Sequence, residues 1–168
     1  MLETPPLRQH WPQPEQQNLQ RSKQLQEFIR EKIQDQGALS FADFMQSALY
    51  TPGLGYYQAH AGLFGEHGDF ITGPELSPLF ARCLANQCRQ IFTLLPELQI
   101  LEFGAGSGRL AADLLGSLQT SGNLPKHYYI LELSATLRAL QENTLKQQLP
   151  DYYAHIVWLE QLPENFNG

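Results

Sequence analysis

Charged side chains are scarce in this 168-residue chain: Asp, Glu, Lys and Arg make up 17% of it, where about a quarter is usual. Part of the surface is therefore suited to something other than water. Cations are the scarcer sign, 11 against 17 acids, for a formal charge of −6 and a pI near 5.3. They form no cluster, which argues against a general polyanion binder and leaves no nucleic-acid footprint. A basic protein partner stays compatible with that balance. Cysteine is limited to Cys83 and Cys88. Their spacing on a helical pattern is neither C-x-x-C nor a zinc pattern, so both read as core or near-core thiols. His10, His60, His67, His127 and His155 are scattered without ligand spacing, and no metal site is expected. No apolar run is long enough to cross a bilayer. The first residues carry acids and prolines, not the character of a transit or signal peptide. The expectation is a cytoplasmic, bacterial-type protein.

Apolar residues reach 42%, enough for one core of ordinary size. The most informative stretch is Ile100-Leu101-Glu102-Phe103-Gly104-Ala105-Gly106-Ser107-Gly108-Arg109-Leu110. Gln99 to Phe103 reads as a buried strand, and Leu110, Ala111, Leu114, Leu115 and Leu118 repeat at helical spacing. Between them alternate glycines make a turn that tolerates positive φ and lets a ligand approach the backbone. The helix that follows presents unpaired N–H groups and partial positive charge, suited to a carboxylate or phosphate. This is a strand, glycine loop and helix of the nucleotide-binding kind.

Three details disfavour a dinucleotide. The spacing is G-x-G-x-G, with Arg109 where the dinucleotide fingerprint wants a small residue. Glu102 stands at the mouth of the loop, where it would repel a pyrophosphate and attract the ammonium of a methionine moiety. The next strand pattern, Tyr128-Tyr129-Ile130-Leu131-Glu132, also ends in an acid, placed to accept ribose hydroxyls near the usual second-strand spacing. These features fit S-adenosylmethionine better than NAD. Glu102 would pair with its ammonium, and Gly104, Ala105, Gly106 and Gly108 would permit close approach. Glu132 would hold the ribose, with Leu133 beside the adenine.

In chain order, residues 1–18 are Pro- and Gln-rich and read as a disordered arm. Residues 19–96 form an N-terminal helical region. Leu25, Phe28, Ile29 and Ile33 mark a first helix that Gly37 terminates. Ser40 caps a second, with Asp43 as a variant capping box, whose stripe Phe41, Phe44, Met45, Ala48 and Leu49 reads as core. Residues 55–77 make a lid-like loop with turn chemistry and enough aromatic surface, Tyr56, Tyr57, Phe64 and Phe70, to pack down. Ser77 and Pro78 start a helix whose Leu79, Phe80, Cys83, Leu84, Ile91 and Phe92 read as core. Residues 97–168 then run β-α-β-α-β, with the second helix carried by Leu137, Leu140 and Leu145 after a Ser134 cap, and a last strand at His155 to Leu159. That order is one mononucleotide-binding half of a doubly wound sheet.

The chain resembles the N-terminal half of the MidA family of S-adenosylmethionine-dependent methyltransferases. The likeness rests on Ala48-Leu49-Tyr50-Thr51-Pro52-Gly53-Leu54-Gly55-Tyr56-Tyr57, on Gly68-Asp69-Phe70-Ile71-Thr72-Gly73-Pro74-Glu75-Leu76-Ser77, on the glycine loop, and on Glu132-Leu133-Ser134 with Leu137-Arg138. Gly73 stands where the family more often has alanine. The resemblance implies an α/β fold of the Rossmann-like class I methyltransferase type: three parallel strands of an incomplete doubly wound sheet behind an N-terminal helical layer. It also implies that Asp69, Thr72, Pro74 and Glu75 form a second wall of the cofactor site, where turn chemistry alone would account for Asp69 and Pro74.

The expected function is S-adenosylmethionine-dependent methyl transfer, or its cofactor-binding half, on a protein substrate. For mitochondrial relatives the resemblance implies arginine methylation of a respiratory-complex subunit. No residue presents itself as a general base, so the catalytic group is unassigned. A non-catalytic assembly or scaffolding factor with the same fold is the alternative, and an NAD-dependent oxidoreductase a weaker one. With strand order 3-2-1-4 the glycine-bearing strand would be an edge. The chain is thus expected to be a piece of a longer enzyme lacking its C-terminal half, or to dimerise through that edge.

Overall fold

A computed structural model describes residues 14–59, 63, 68–94, 98–166 and 168. Most of the expected arm, with His60, Phe64 and His67, lies outside the described residues. These fall into two compact units divided after Gly55.

In the first unit α1 spans Gln16–Gln36 and α2 Phe41–Tyr50. α1 starts ahead of the apolar stripe, because exposed polar residues extend a helix without packing partners. Gly37, at φ 82°, ends it by donating its N–H to the Ile33 carbonyl at 2.8 Å. The Ser40 cap forms as expected: its Oγ accepts the Asp43 N–H at 3.1 Å and donates to Asp43 Oδ2 at 2.6 Å. The expected core of α2 does not form. Phe41, Phe44 and Met45 are exposed, and the buried residue is Ser47, whose Oγ accepts from Lys32 Nζ at 3.1 Å. Two helices offer each other one contact line, so only a narrow stripe of each is covered. In the turn that follows, Leu54 and Gly55 both donate to the Thr51 carbonyl, at 3.1 and 2.7 Å. A Cβ on Gly55 would lie 2.6 Å from the Leu49 carbonyl, so only glycine fits there.

The second unit holds α3 (Tyr56–Ala59), α4 (Gly73–Leu76), α5 (Leu79–Leu94), β1 (Ile100–Phe103), α6 (Arg109–Thr120), β2 (Tyr128–Leu131), α7 (Ala135–Gln148), a 3-10 turn (Tyr153–His155) and β3 (Ile156–Leu159). The segment read as a lid-like loop therefore contains two single-turn helices. It is tied down by Leu63, which is fully buried and accepts the Phe70 N–H at 3.0 Å.

The three strands form a parallel sheet in the order β1-β2-β3. Ile100 pairs with Tyr128 and Phe103 with Leu131; Tyr128 pairs with Ile156 and Leu131 with Leu159. Their carboxyl ends are thus level. One sheet face, with Tyr128, Ile130 and Ile156, is buried in a core shared with Ala111, Leu114, Leu115 and Leu118 of α6 and Leu145 of α7. Leu101, Tyr129, Leu131, Val157 and Leu159 on the other face are half-buried, and Phe103 is 65% exposed.

α5 packs on α6 by a different face from the one expected. Ala81 and Ala85 are buried, and Cys88 and Phe92 pack beside them, while Leu79, Phe80, Leu84 and Ile91 are exposed, as is Cys83. Small residues let two helix axes approach, and the larger apolar ones are left on the outside. α7 also differs: its buried line is Leu137, Gln141 and Leu145, with Leu140 only half-buried. Ser134 caps it as expected, accepting the Leu137 N–H at 3.1 Å.

Candidate functional site

The level carboxyl ends of β1 and β2 bring the glycine loop beside Glu132. Gly104 N–H donates to the Leu131 carbonyl at 3.0 Å, and Glu132 N–H to the Leu159 carbonyl at 3.0 Å. Gly104, Gly106 and Gly108 have φ of 65°, 54° and 83°, in the left-handed region where a side chain is strained. A Cβ on Gly104 would meet nothing within 4 Å, so this turn faces open space. The loop closes through Gly108 N–H donating to the Ala105 carbonyl at 2.8 Å, and α6 begins at the next residue.

A cleft of about 150 Å³ lies against this turn. Glu102, Gly104, Ala105 and Gly106 line one side and Thr72, Pro74 and Glu75 the other; Ser107 and Leu110 complete it. The two walls are joined, since Ser107 Oγ donates to Glu75 Oε1. Two acidic residues, Glu75 and Glu102, thus line a small space, a setting for a cation and against a pyrophosphate.

Glu102 is the more perturbed acid. Burial foremost, with the nearby Glu132 charge adding to it, pushes its carboxyl up to about 7 against the hydrogen bond that Tyr128 Oη donates to Glu102 Oε2 at 2.8 Å. Tyr128 is itself buried on the same sheet face, and burial keeps it a protonated donor. Glu132 is 7% exposed. Its Oε1 accepts the Ser134 N–H at 2.9 Å and its Oε2 accepts from Gln141 Nε2 at 2.9 Å. A carboxylate has about four lone-pair positions, so each oxygen retains one.

Four residues expected at the site do not line the cleft. Glu132 stands at the end of the neighbouring strand. Leu133 is exposed beyond it, its carbonyl accepting from Gln58 Nε2 at 3.0 Å. Asp69 is exposed, and its Oδ2 accepts from Tyr56 Oη at 2.7 Å. Gly108 faces α7, where a Cβ would lie 3.2 Å from Gln141 Cα. Sequence reasoning missed Ser107, Leu110, Tyr128 and Gln141. The signal for Gln141 was present, because it interrupts the Leu137 and Leu145 line at i+4 spacing. A larger groove of about 640 Å³ runs between α5 and the carboxyl ends of α6 and α7. Arg82 and Arg89 stand exposed in it and Asp113 is paired with Arg109 at 2.8 Å, so no functional groups converge there.

Residues 83–168 match the sequence model of a family described as "Putative S-adenosyl-L-methionine-dependent methyltransferase". The chain is 33% identical over 124 residues to mouse protein arginine methyltransferase NDUFAF7, mitochondrial, covering 70% of this chain and 28% of the relative. To the human protein of the same name it is 32% identical over 127 residues, covering 71% and 29%. Among solved structures, a "likely methyl transferase" from Burkholderia thailandensis bound to S-adenosyl-homocysteine superposes with a TM-score of 0.82. Its sequence is 41% identical, with 94% of this chain and 42% of that chain covered. The chain thus spans less than a third of the length of these curated relatives and under half of the solved neighbour. The fold is the Rossmann-like fold of class I methyltransferases. The family match, the relatives and the shared fold agree with the motifs: the chain belongs to the MidA family of S-adenosylmethionine-dependent methyltransferases.

Proposed function

We propose that this chain is the cofactor-binding half of an S-adenosylmethionine-dependent methyltransferase acting on arginine of a protein substrate, a respiratory-complex subunit being the expected class. The observation that carries the reading is the cleft that Glu75 and Glu102 line beside a glycine turn open to ligand. Glu102 would take the ammonium and the amino end of α6 the carboxylate of the methionine moiety. Glu132, one strand over, keeps a free lone pair on each oxygen for the ribose hydroxyls, with Leu133 beside the adenine. Thr72, Pro74 and Glu75 would form the opposing wall, with Asp69 behind it, holding Tyr56. When bound, the cofactor supplies a methyl group already activated on a sulfonium. The chain's own residues have then to bind, align and exclude water. The arginine assignment is supported by the names of the mouse and human relatives.

Calorimetric titration of the chain with S-adenosylhomocysteine tests the cofactor reading. Binding is expected, with Glu132→Ala weakening it by about 1.5–3 kcal/mol through lost charge-assisted hydrogen bonds. Equal affinity in the variant would remove Glu132 from the site. Transfer of labelled methyl to arginine in a respiratory-complex subunit tests the substrate.

A further inference from the structure

We propose that Gln141 is a positioning residue for the cofactor site, locking the ribose acid Glu132 and the glycine loop into one rigid unit. The inference rests on the reading that Glu132 receives ribose hydroxyls. Gln141 lies on the second turn of α7 and is fully buried. That amide makes three hydrogen bonds. Nε2 donates to Glu132 Oε2 at 2.9 Å and to the Gly106 carbonyl at 3.1 Å, and Oε1 accepts from Trp158 Nε1 at 3.0 Å.

The chemistry of the three partners dictates which way the amide points. An indole N–H can only donate, so the atom facing Trp158 is the oxygen. A carboxylate and a carbonyl only accept, so both face the NH₂ group. A flip would set Oε1 against a carboxylate and an amine against an N–H, and three bonds would be lost together. The side chain is therefore held from β3, and it transmits that hold to β2 and to the loop after β1. Gly108 makes the approach feasible, since a Cβ there would sit 3.2 Å from Gln141 Cα and 3.6 Å from its Cβ. The last glycine of the loop thus admits the residue that fixes the middle one.

The consequence concerns the free lone pairs of Glu132. With Ser134 N–H on one oxygen and Gln141 on the other, the plane of the carboxylate is set before ligand arrives. Without Gln141 one oxygen loses its donor and the group rotates about its terminal torsion. Recognition of the ribose hydroxyls then weakens, and the Gly106 carbonyl loses its donor as well, a change felt alike by ligands with and without those hydroxyls.

The test compares the affinities of the whole chain for S-adenosylhomocysteine and for its 2′,3′-dideoxy analogue, in wild type, Glu132→Ala, Gln141→Met and the double variant, with thermal melts confirming folding. Wild type is expected to prefer the hydroxylated ligand. Glu132→Ala abolishes that preference and Gln141→Met reduces it about tenfold, with no further loss in the double variant. A purely structural role would lower the melting temperature and leave the ratio unchanged. If Glu132→Ala flattens the ratio and Gln141→Met does not, the positioning role is overturned and the ribose reading stands. If Glu132→Ala keeps the ratio, or wild type binds neither ligand, both fall. Gln141→Asn, whose amide is withdrawn by one methylene, gives the same comparison should Gln141→Met fail to fold.

Discussion

Glu102 is ionised with difficulty where it is buried, and two consequences follow from its carboxyl lying at about 7 where 4.5 is ordinary. The first concerns stability. A group whose native value is raised stabilises the fold fully below its unfolded value, and that contribution is lost as pH rises through the native value. Between about pH 4.5 and 7 the wild-type chain should therefore lose stability that Glu102→Gln does not lose, which melts across that range will show. The second concerns ligand. A cation in the cleft favours the carboxylate, so affinity for S-adenosylhomocysteine should rise up to about tenfold from roughly pH 6 to 8, with proton release on binding, and Glu102→Gln should flatten the slope. Titrations in buffers of different ionisation enthalpy measure both. The glycines divide similarly. Gly104→Ala meets empty space and costs only the strain of left-handed backbone, about 1–2 kcal/mol. Gly108→Ala adds a 3.2 Å contact with Gln141 and should destabilise by about 2–4 kcal/mol in denaturant titrations.

At the level of elements, strand and loop were legible because their signals are local. The β1 apolar run, the alternating glycines and the caps at Ser40 and Ser134 each act within a few residues, and each forms where it was read. Faces were less legible. α5 carries apolar residues on a wide arc, from Leu79 and Cys83 round to Ala81 and Ala85, with Arg82, Asn86 and Arg89 opposite, so periodicity could not say which part of that arc α6 would choose. Packing chose the alanines, because a closer approach buries more of both helices than bulkier side chains would allow. Ala85→Leu should accordingly overpack the contact and cost about 1–3 kcal/mol, while Leu84→Ala on the exposed face stays within about 0.5 kcal/mol; chemical denaturation separates them. In α7 the eye follows leucines and passes over Gln141, whose burial depends on Trp158 and Glu132 arriving from other strands. Such long-range satisfaction of a polar group leaves only an interruption in the pattern.

For the molecule as a whole, one face of the sheet is buried and the other is half open, with Phe103 at 65% and, on α5, Leu94 at 79% exposed. β1 has a ladder partner on one side only among the described residues. Apolar patches of that kind associate. Light scattering on a concentration series should give masses rising above 19.1 kDa, and a constant monomer mass would show the faces to be quiescent. The low charge content already hinted at a surface not meant for water; which surface became clear only when the sheet had sides.

The level strand ends carry a consequence for how this chain can vary. Side chains alternate along β2, so an extra amino acid within Tyr128–Leu131 would turn the downstream acid to the opposite side of the sheet. The same extra amino acid in the connection between α6 and β2 would be absorbed as slack. Natural or laboratory variants should therefore change length freely in that connection and hardly at all within the four residues of the strand, a constraint set by counting, whatever the residue added.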